Sequence, residues 1–310
     1  YLKCDNITYA KISEQLKQKF KSEILRRYQS LEFYGQHILG ISKSALPLQF
    51  RMQKYFNLGR LLKIASDFGI SNEELYSNII SLNAKGSNTP KEIILPKILA
   101  IDEFFVEGYA LYLAEGDNGS NGKTIPKKVR LMNSQLSIHK SFIKWLKMYF
   151  PNNEICFRII VPHPKTITDD VIQEIANFLE LNKTQIRVHN YKWARKTGFV
   201  YRTCLDSALL IGFLLSIKNK VKGLCLQDKK LAASYIRGMM IGEGTAYFNR
   251  CRYVRIEMKN EEEIKYLHHL FKLLGYECEP TLRTNRIGTW GVYIGAKQLR
   301  KFAEEIGFGV

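Results

Sequence analysis

The chain of 310 residues is longer than one average domain, so two or three folded units are expected, and its 45% hydrophobic content excludes a disordered chain. Its 47 Lys and Arg against 29 Asp and Glu give a formal charge of +18, which points to an anionic partner, ordinarily nucleic acid. The six cysteines form no Cys-x-x-Cys pair, which argues against a structural zinc site and a disulfide framework, so reduced core thiols are expected.

The first residues, 1–22, are polar and helical in pattern, without a signal-like apolar segment. The longest apolar run, Ala208–Ile217, falls short of the roughly 20 residues of a membrane span. An intracellular, cytoplasmic protein with no membrane partner is expected. Residues 1–83 read as an all-α domain, with amphipathic helices at Ser13–Arg27 and Arg51–Phe68. Gly40-Ile41-Ser42 and Gly69-Ile70-Ser71 each place a turn glycine before a capping serine, as a helix-turn-helix does. A helical domain that serves packing alone is the alternative. Residues 84–100, with Lys, Gly, Ser, Asn and Pro, read as a linker.

Beyond the linker, helices and strands alternate in two rounds, 101–222 and 223–310. The second is the clearer. A helix at Leu231–Ile241 precedes a hairpin of Thr245–Arg250 and Tyr253–Lys259, then a helix at Glu261–Leu274. A second hairpin, Glu277–Asn285 with Thr289–Ile294, and a helix at Ala296–Ile306 complete it. In the first round, strands are expected near Lys128–Met132, Ile155–Val161, Gln185–His189 and Phe199–Cys204. Helices at Gln135–Tyr149, Asp169–Leu181 and Asp206–Lys218 separate them, and Asp169–Leu181 is an extra element.

The helices that open the two rounds share a pattern: Gly108-Tyr-Ala-Leu-Tyr-Leu-Ala-Glu115-Gly116 and Ile236-Arg-Gly-Met-Met-Ile-Gly-Glu243-Gly244. Small residues recur at i and i+4, as Ala110 and Ala114 and as Gly238 and Gly242, which flattens one helix face for close backbone approach. The glycine after each acid is expected to end its helix in the left-handed conformation. The acids at 115 and 243, 128 positions apart, then meet at the end of a two-helix seam, where paired carboxylates call for a divalent cation.

Both segments resemble LAGLIDADG motifs, and the resemblance to single-chain, two-motif homing endonucleases covers Phe105–Val310. It implies an α+β fold of two pseudo-symmetric αββαββα repeats with saddle-shaped antiparallel sheets, here behind the all-α N-terminal domain. Ala110 departs from the mid-motif glycine, and Asp117 is an alternative to Glu115 as the first metal ligand. The resemblance implies that Glu115 and Glu243, with the carbonyls of Ala114 and Gly242, bind Mg2+, for which Mn2+ can substitute. The reaction implied is hydrolysis of one phosphodiester in each strand of double-stranded DNA by a monomer, in the service of intron homing. Lys192 and Lys259 are candidates for ordering the attacking water.

The strands carry candidate DNA contacts. In Tyr253–Lys259, Val254, Ile256 and Met258 take one face and Tyr253, Arg255, Glu257 and Lys259 the other. Lys128, Arg130, Arg158, Gln185, Arg187, Arg202, Arg283 and Asn285 extend that polar face, suited to phosphates and base edges in a major groove. Two other functions fit the same fold: an intron RNA maturase, with RNA as partner, and a non-catalytic DNA-binding regulator. The presence of both acids weighs against the regulator.

Overall fold

The structure is a computed structural model that describes residues 8–52, 55–84, 93–96, 98–116, 128–191, 198–249, 252–284 and 286–308. The chain divides into two compact units, one of residues 1–98 with 207–216 and the other of 99–206 with 217–310.

The first unit is mixed, not all-α. Strand β1 (Thr8–Ile12) is followed by helices α1 (Glu14–Tyr28), α2 (Leu31–His37) and α3 (Ala45–Met52). Strand β2 (Phe56–Asn57), helices α4 (Leu58–Asp67) and α5 (Asn72–Ser77), and strand β3 (Ile79–Ala84) come next, with the sheet in the order β2-β1-β3. Thr8, Ala10 and Ile12 are buried in alternation, a period-two signal only five residues long that the following amphipathic helix obscures. The helix expected over Arg51–Phe68 is broken by β2, whose Asn57 caps α4. Gly69 (φ +68°) and the Ser71 cap form the turn that the sequence suggests. However, α5 has six residues and opens on Glu73 and Glu74, a poor match for a phosphate backbone, which favours the packing role. Part of the expected linker joins this unit, since Ile93 is buried and bridges Leu82. The apolar run predicted as a helix of the first repeat is α9 (Ala208–Ser216), and it belongs here, against β3. Burial of Leu209, Leu210, Ile211 and Leu214 explains its composition. No described helix is long and apolar enough to cross a membrane.

The second unit opens on α6 (Glu103–Glu115), then β4 (Val129–Asn133), α7 (Leu136–Tyr149) and β5 (Ile155–Pro162). Helix α8 (Asp169–Leu179) leads to β6 (Ile186–Tyr191) and β7 (Val200–Leu205). Resuming at α10 (Lys218–Cys225), it runs through α11 (Lys229–Glu243), β8 (Gly244–Tyr247), β9 (Tyr253–Met258) and α12 (Glu261–Leu273). Strands β10 (Thr281–Leu282) and β11 (Trp290–Gly295) and helix α13 (Leu299–Glu305) close it. The sheet orders are β8-β9-β11-β10 and β4-β7-β5-β6. Leu131 of β4 also bridges Gly116, so the strands after α6 follow the same order as those after α11, with β6 added at the edge. That extra strand runs parallel to β5, because α8 carries the chain back across the sheet, so this sheet is mixed and not purely antiparallel. Aromatic side chains of α6 and α7 fill the core beside it. Trp145 donates to the carbonyl of Phe105 at 3.0 Å and lies over Gly108, where a Cβ would come within 2.2 Å of its ring.

Candidate metal and nucleic-acid site

The two acid-bearing helices, α6 and α11, pack with their backbones almost touching. A Cβ built on Gly238 would lie 2.2 Å from the carbonyl oxygen of Glu107 and 2.8 Å from Ala110 Cβ. On Gly242 it would lie 2.5 Å from Ala114 Cβ and 3.0 Å from Glu115 Cγ. The small residues read at i and i+4 are therefore the ones in contact across the seam. An ion pair between Arg237 and Glu107, at 3.0 Å, ties its other end.

The terminating glycines work differently from expectation. Gly116 (φ −74°) and Gly244 (φ −87°) are extended, so handedness does not require them. Space does: a Cβ would meet the Tyr112 carbonyl at 2.2 Å in the first case and Met240 Sδ at 2.2 Å in the second. Each chain leaves its helix directly toward a strand.

Glu115 is half-buried and accepts a hydrogen bond from Asn133 Nδ2 at 3.0 Å. Asn133 is held in turn. Its Oδ1 accepts from the Gln135 backbone at 2.9 Å, and its carbonyl lies 3.2 Å from His139 Nε2. The other ring nitrogen of His139 meets Thr203 Oγ1 at 2.8 Å, and burial depresses its pKa to about 4, so the ring is neutral. Glu243 keeps solvent access, but loss of hydration around its carboxyl group, followed by the charge of Glu115, raises its pKa above the usual carboxylate value. Glu243 also borders a hollow of about 240 Å³ with Lys259, Lys218 and Asn260.

Asn133 and Lys218 are absent from the sequence-based candidates. Asn133 ends β4 as Lys259 follows the end of β9, so aligning the two rounds strand by strand would have found it. Lys218 comes from the start of α10 and no sequence pattern marks it. Lys192, Asp117 and Asn285 lie outside the described residues.

The donor chemistry fits a hard divalent cation. Two carboxylates converge at the ends of two helices. Among the described residues no group of three or more His, Cys, Asp and Glu side chains assembles, and carboxylate oxygens are ligands of the kind that Mg2+ takes. The cysteines described, Cys156, Cys204, Cys225 and Cys278, are free thiols.

The sheet residues divide by what already occupies them. On the first sheet, Arg158 of β5 stands directly opposite Arg202 on one side and Arg187 on the other. Like charges so placed destabilise a sheet unless an anion meets them, and Arg158 Nε is buried with no hydrogen-bond partner among the described residues. Arg130 lies on the same face, two residues from Met132, which accepts a contact from Arg202 at 3.5 Å. Two candidates are engaged elsewhere: Lys128 pairs with Asp206 at 2.7 Å, and Gln185 caps Asn182 while donating to the Ile155 carbonyl at 3.0 Å. On the second sheet the alternation holds as far as Ile256, after which Glu257 is buried and Met258 is partly exposed. Val254 and Ile256 are buried, and Tyr253, stacked on Tyr247, lies beneath the Arg255 guanidinium on the other face.

Two abutting helices, each ending in an acid and each followed by the same strand order, define the architecture. It is similar to the LAGLIDADG arrangement that the sequence motifs imply. No protein-family model and no curated protein matches the chain. Among solved structures, a variant of the homing endonuclease I-DmoI is 16% identical, with a TM-score of 0.41, over 66% of this chain and 96% of that one. I-DmoI in complex with DNA and Mn is 14% identical, TM-score 0.38, over 66% and 98%. The N-terminal LAGLIDADG domain of DUF199/WhiA is 16% identical, TM-score 0.39, over 67% and 84%.

Proposed function

We propose that the unit of residues 99–206 and 217–310 is a divalent-metal-dependent endonuclease that hydrolyses one phosphodiester in each strand of double-stranded DNA. The observation that carries this reading is the meeting of two carboxylates at the end of one helix seam. Glu243 bears a raised pKa there, first because its carboxyl group loses hydration and then because the charge of Glu115 stands beside it. Two acids so placed bind a cation or lose a charge.

In this reading Glu115 and Glu243, with the carbonyls of Ala114 and Gly242, hold Mg2+. When bound, the ion activates water and stabilises the leaving oxygen. Asn133 fixes the Glu115 carboxylate through its amide hydrogen bond. Lys259, which borders the hollow with Glu243, orients water and phosphate on that side; Lys192, the second candidate for this role, lies outside the described residues. The two halves serve one strand each, as pseudo-symmetric repeats in a monomer. The arginines of both sheets then face the duplex, with phosphates setting register and base edges supplying selectivity.

The test is a Mg2+-dependent cleavage selection on a randomised duplex library, with Glu115→Gln and Glu243→Gln beside wild type. Discrete double-strand cuts by wild type, abolished or reduced to nicks in either variant, are expected. Duplex binding without cutting in any divalent metal would refute the enzyme and leave a regulator. Binding confined to structured RNA would favour a maturase.

A further inference from the structure

The second sheet carries an acid at the centre of its cationic face. Glu257 of β9 is buried, yet its carboxylate is met by three guanidiniums from separate parts of the chain. Arg283 approaches to 3.0 Å, Arg255 to 3.5 Å and Arg286 to 3.7 Å. The Tyr293 hydroxyl donates to the same carboxylate and accepts from Arg283 at 2.8 Å. Directly opposite Glu257 on β11 stands Gly291, where a Cβ would lie 3.0 Å from Glu257 Cγ. The missing side chain leaves the space in which the carboxylate lies flat on the sheet.

One carboxylate needs one good cation to be buried, and here it has three. The cluster therefore keeps an excess of two positive charges on the face. The Nε groups of Arg255 and Arg283 are also buried without hydrogen-bond partners among the described residues. Flexible arginines lose rotamer freedom when they bind an anion, and a fixed carboxylate beneath them removes that loss in advance. We infer that Glu257 is a positioning residue that presents Arg255, Arg283 and Arg286 as one preorganised unit for a phosphodiester of the DNA backbone. This rests on the proposal that the substrate is DNA and adds to it a role for an acid that charge counting would call unfavourable.

The sign of one substitution decides the matter. By charge alone, Glu257→Gln removes a negative group from a DNA-binding face and tightens binding. If Glu257 positions the arginines, the same change weakens binding to a mixed-sequence duplex by roughly tenfold and lowers the magnitude of the salt slope by about 1 to 2. Binding by the full chain is measured across a salt series in EDTA. In an Arg283→Ala/Arg286→Ala background the effect of Glu257→Gln should shrink to less than about twofold. Equal or tighter binding by Glu257→Gln overturns the assignment, and so does an undiminished loss in the arginine-deleted background. If Glu257→Gln does not fold, Tyr293→Phe removes the hydroxyl that links Arg283 to Glu257. It should weaken binding by about threefold, and unchanged binding there also overturns the assignment. A wild-type chain that binds no duplex at all refutes the DNA reading itself, a result separate from any difference among variants.

Discussion

The seam between α6 and α11 can be probed by making one substitution, glycine to alanine, at three helical sites of the same unit. At Gly223 in α10 nothing lies within 4 Å of the new methyl group. The variant therefore gains helix propensity alone, up to about 1 kcal/mol. At Gly242 the methyl would sit 2.5 Å from Ala114 Cβ, more than an ångström inside ordinary carbon–carbon contact. Overpacking of this kind costs about 1–3 kcal/mol, so the net change is a loss of up to about 2 kcal/mol. At Gly238 the obstacle, 2.2 Å away, is the backbone carbonyl of Glu107, which cannot move without its helix. That variant should lose the most, about 2 kcal/mol or more. Trp145 and Trp290 belong to this unit, so denaturant midpoints followed by tryptophan fluorescence report on it. The order expected is Gly223→Ala above wild type, then Gly242→Ala, then Gly238→Ala. Stabilisation of Gly242→Ala to the level of Gly223→Ala would show that the helices do not meet there. Gly242→Ala should also weaken the rise in midpoint caused by Mg2+, because the new methyl would displace Glu115, whose Cγ is 3.0 Å away.

Other expectations follow from single groups. The buried His139, with a pKa of about 4 in the folded chain against an ordinary value of 6.5, stays neutral while the unfolded chain takes up a proton. Its contribution is therefore intact above pH 6.5 and lost as pH falls from there toward 4, by about 3 kcal/mol in all. Urea titrations of wild type and His139→Gln at several pH values should converge at low pH, and parallel curves would refute the assignment. Asn133→Ala removes the hydrogen bond to Glu115 and should weaken Mg2+ binding by roughly tenfold in calorimetry, with little change in apo stability. Lys259→Met should lower single-turnover cleavage by about a hundredfold while leaving duplex affinity within about twofold. A loss of affinity instead would make Lys259 a phosphate contact.

How much of this was legible in the sequence depended on the range of the forces involved. The seam was readable because small residues at i and i+4 and an acid before glycine are local patterns, repeated at 115 and 243. The polar and apolar faces of residues 253–256 were readable for the same reason. What escaped depended on distant partners. Strand β1 needs β3, more than sixty residues away, to become a strand, and its five residues alone do not outweigh the helix beside them. Helix α9 looks like any apolar helix until its packing against β3 is known. Gln185 and Lys128 have the right chemistry for DNA, but Ile155 and Asp206 already engage them.

The two acids also differ in a way that their shared motif conceals. Glu115 is steadied by an amide that is itself fixed by a turn and a neutral histidine, so its orientation is set before any metal arrives. Glu243 faces a hollow shared with two lysines and carries the raised pKa. A motif specifies that an acid reaches the seam, but the residues at the following strand end decide how it is held. On the first side that residue is an amide, and on the second it is a cation. The first half is therefore built to hold its carboxylate still, and the second to keep charge balanced around one that is partly desolvated. If both strands of a duplex are cut, the half containing Glu243 should lose rate as the pH falls, since its acid begins with its pKa raised.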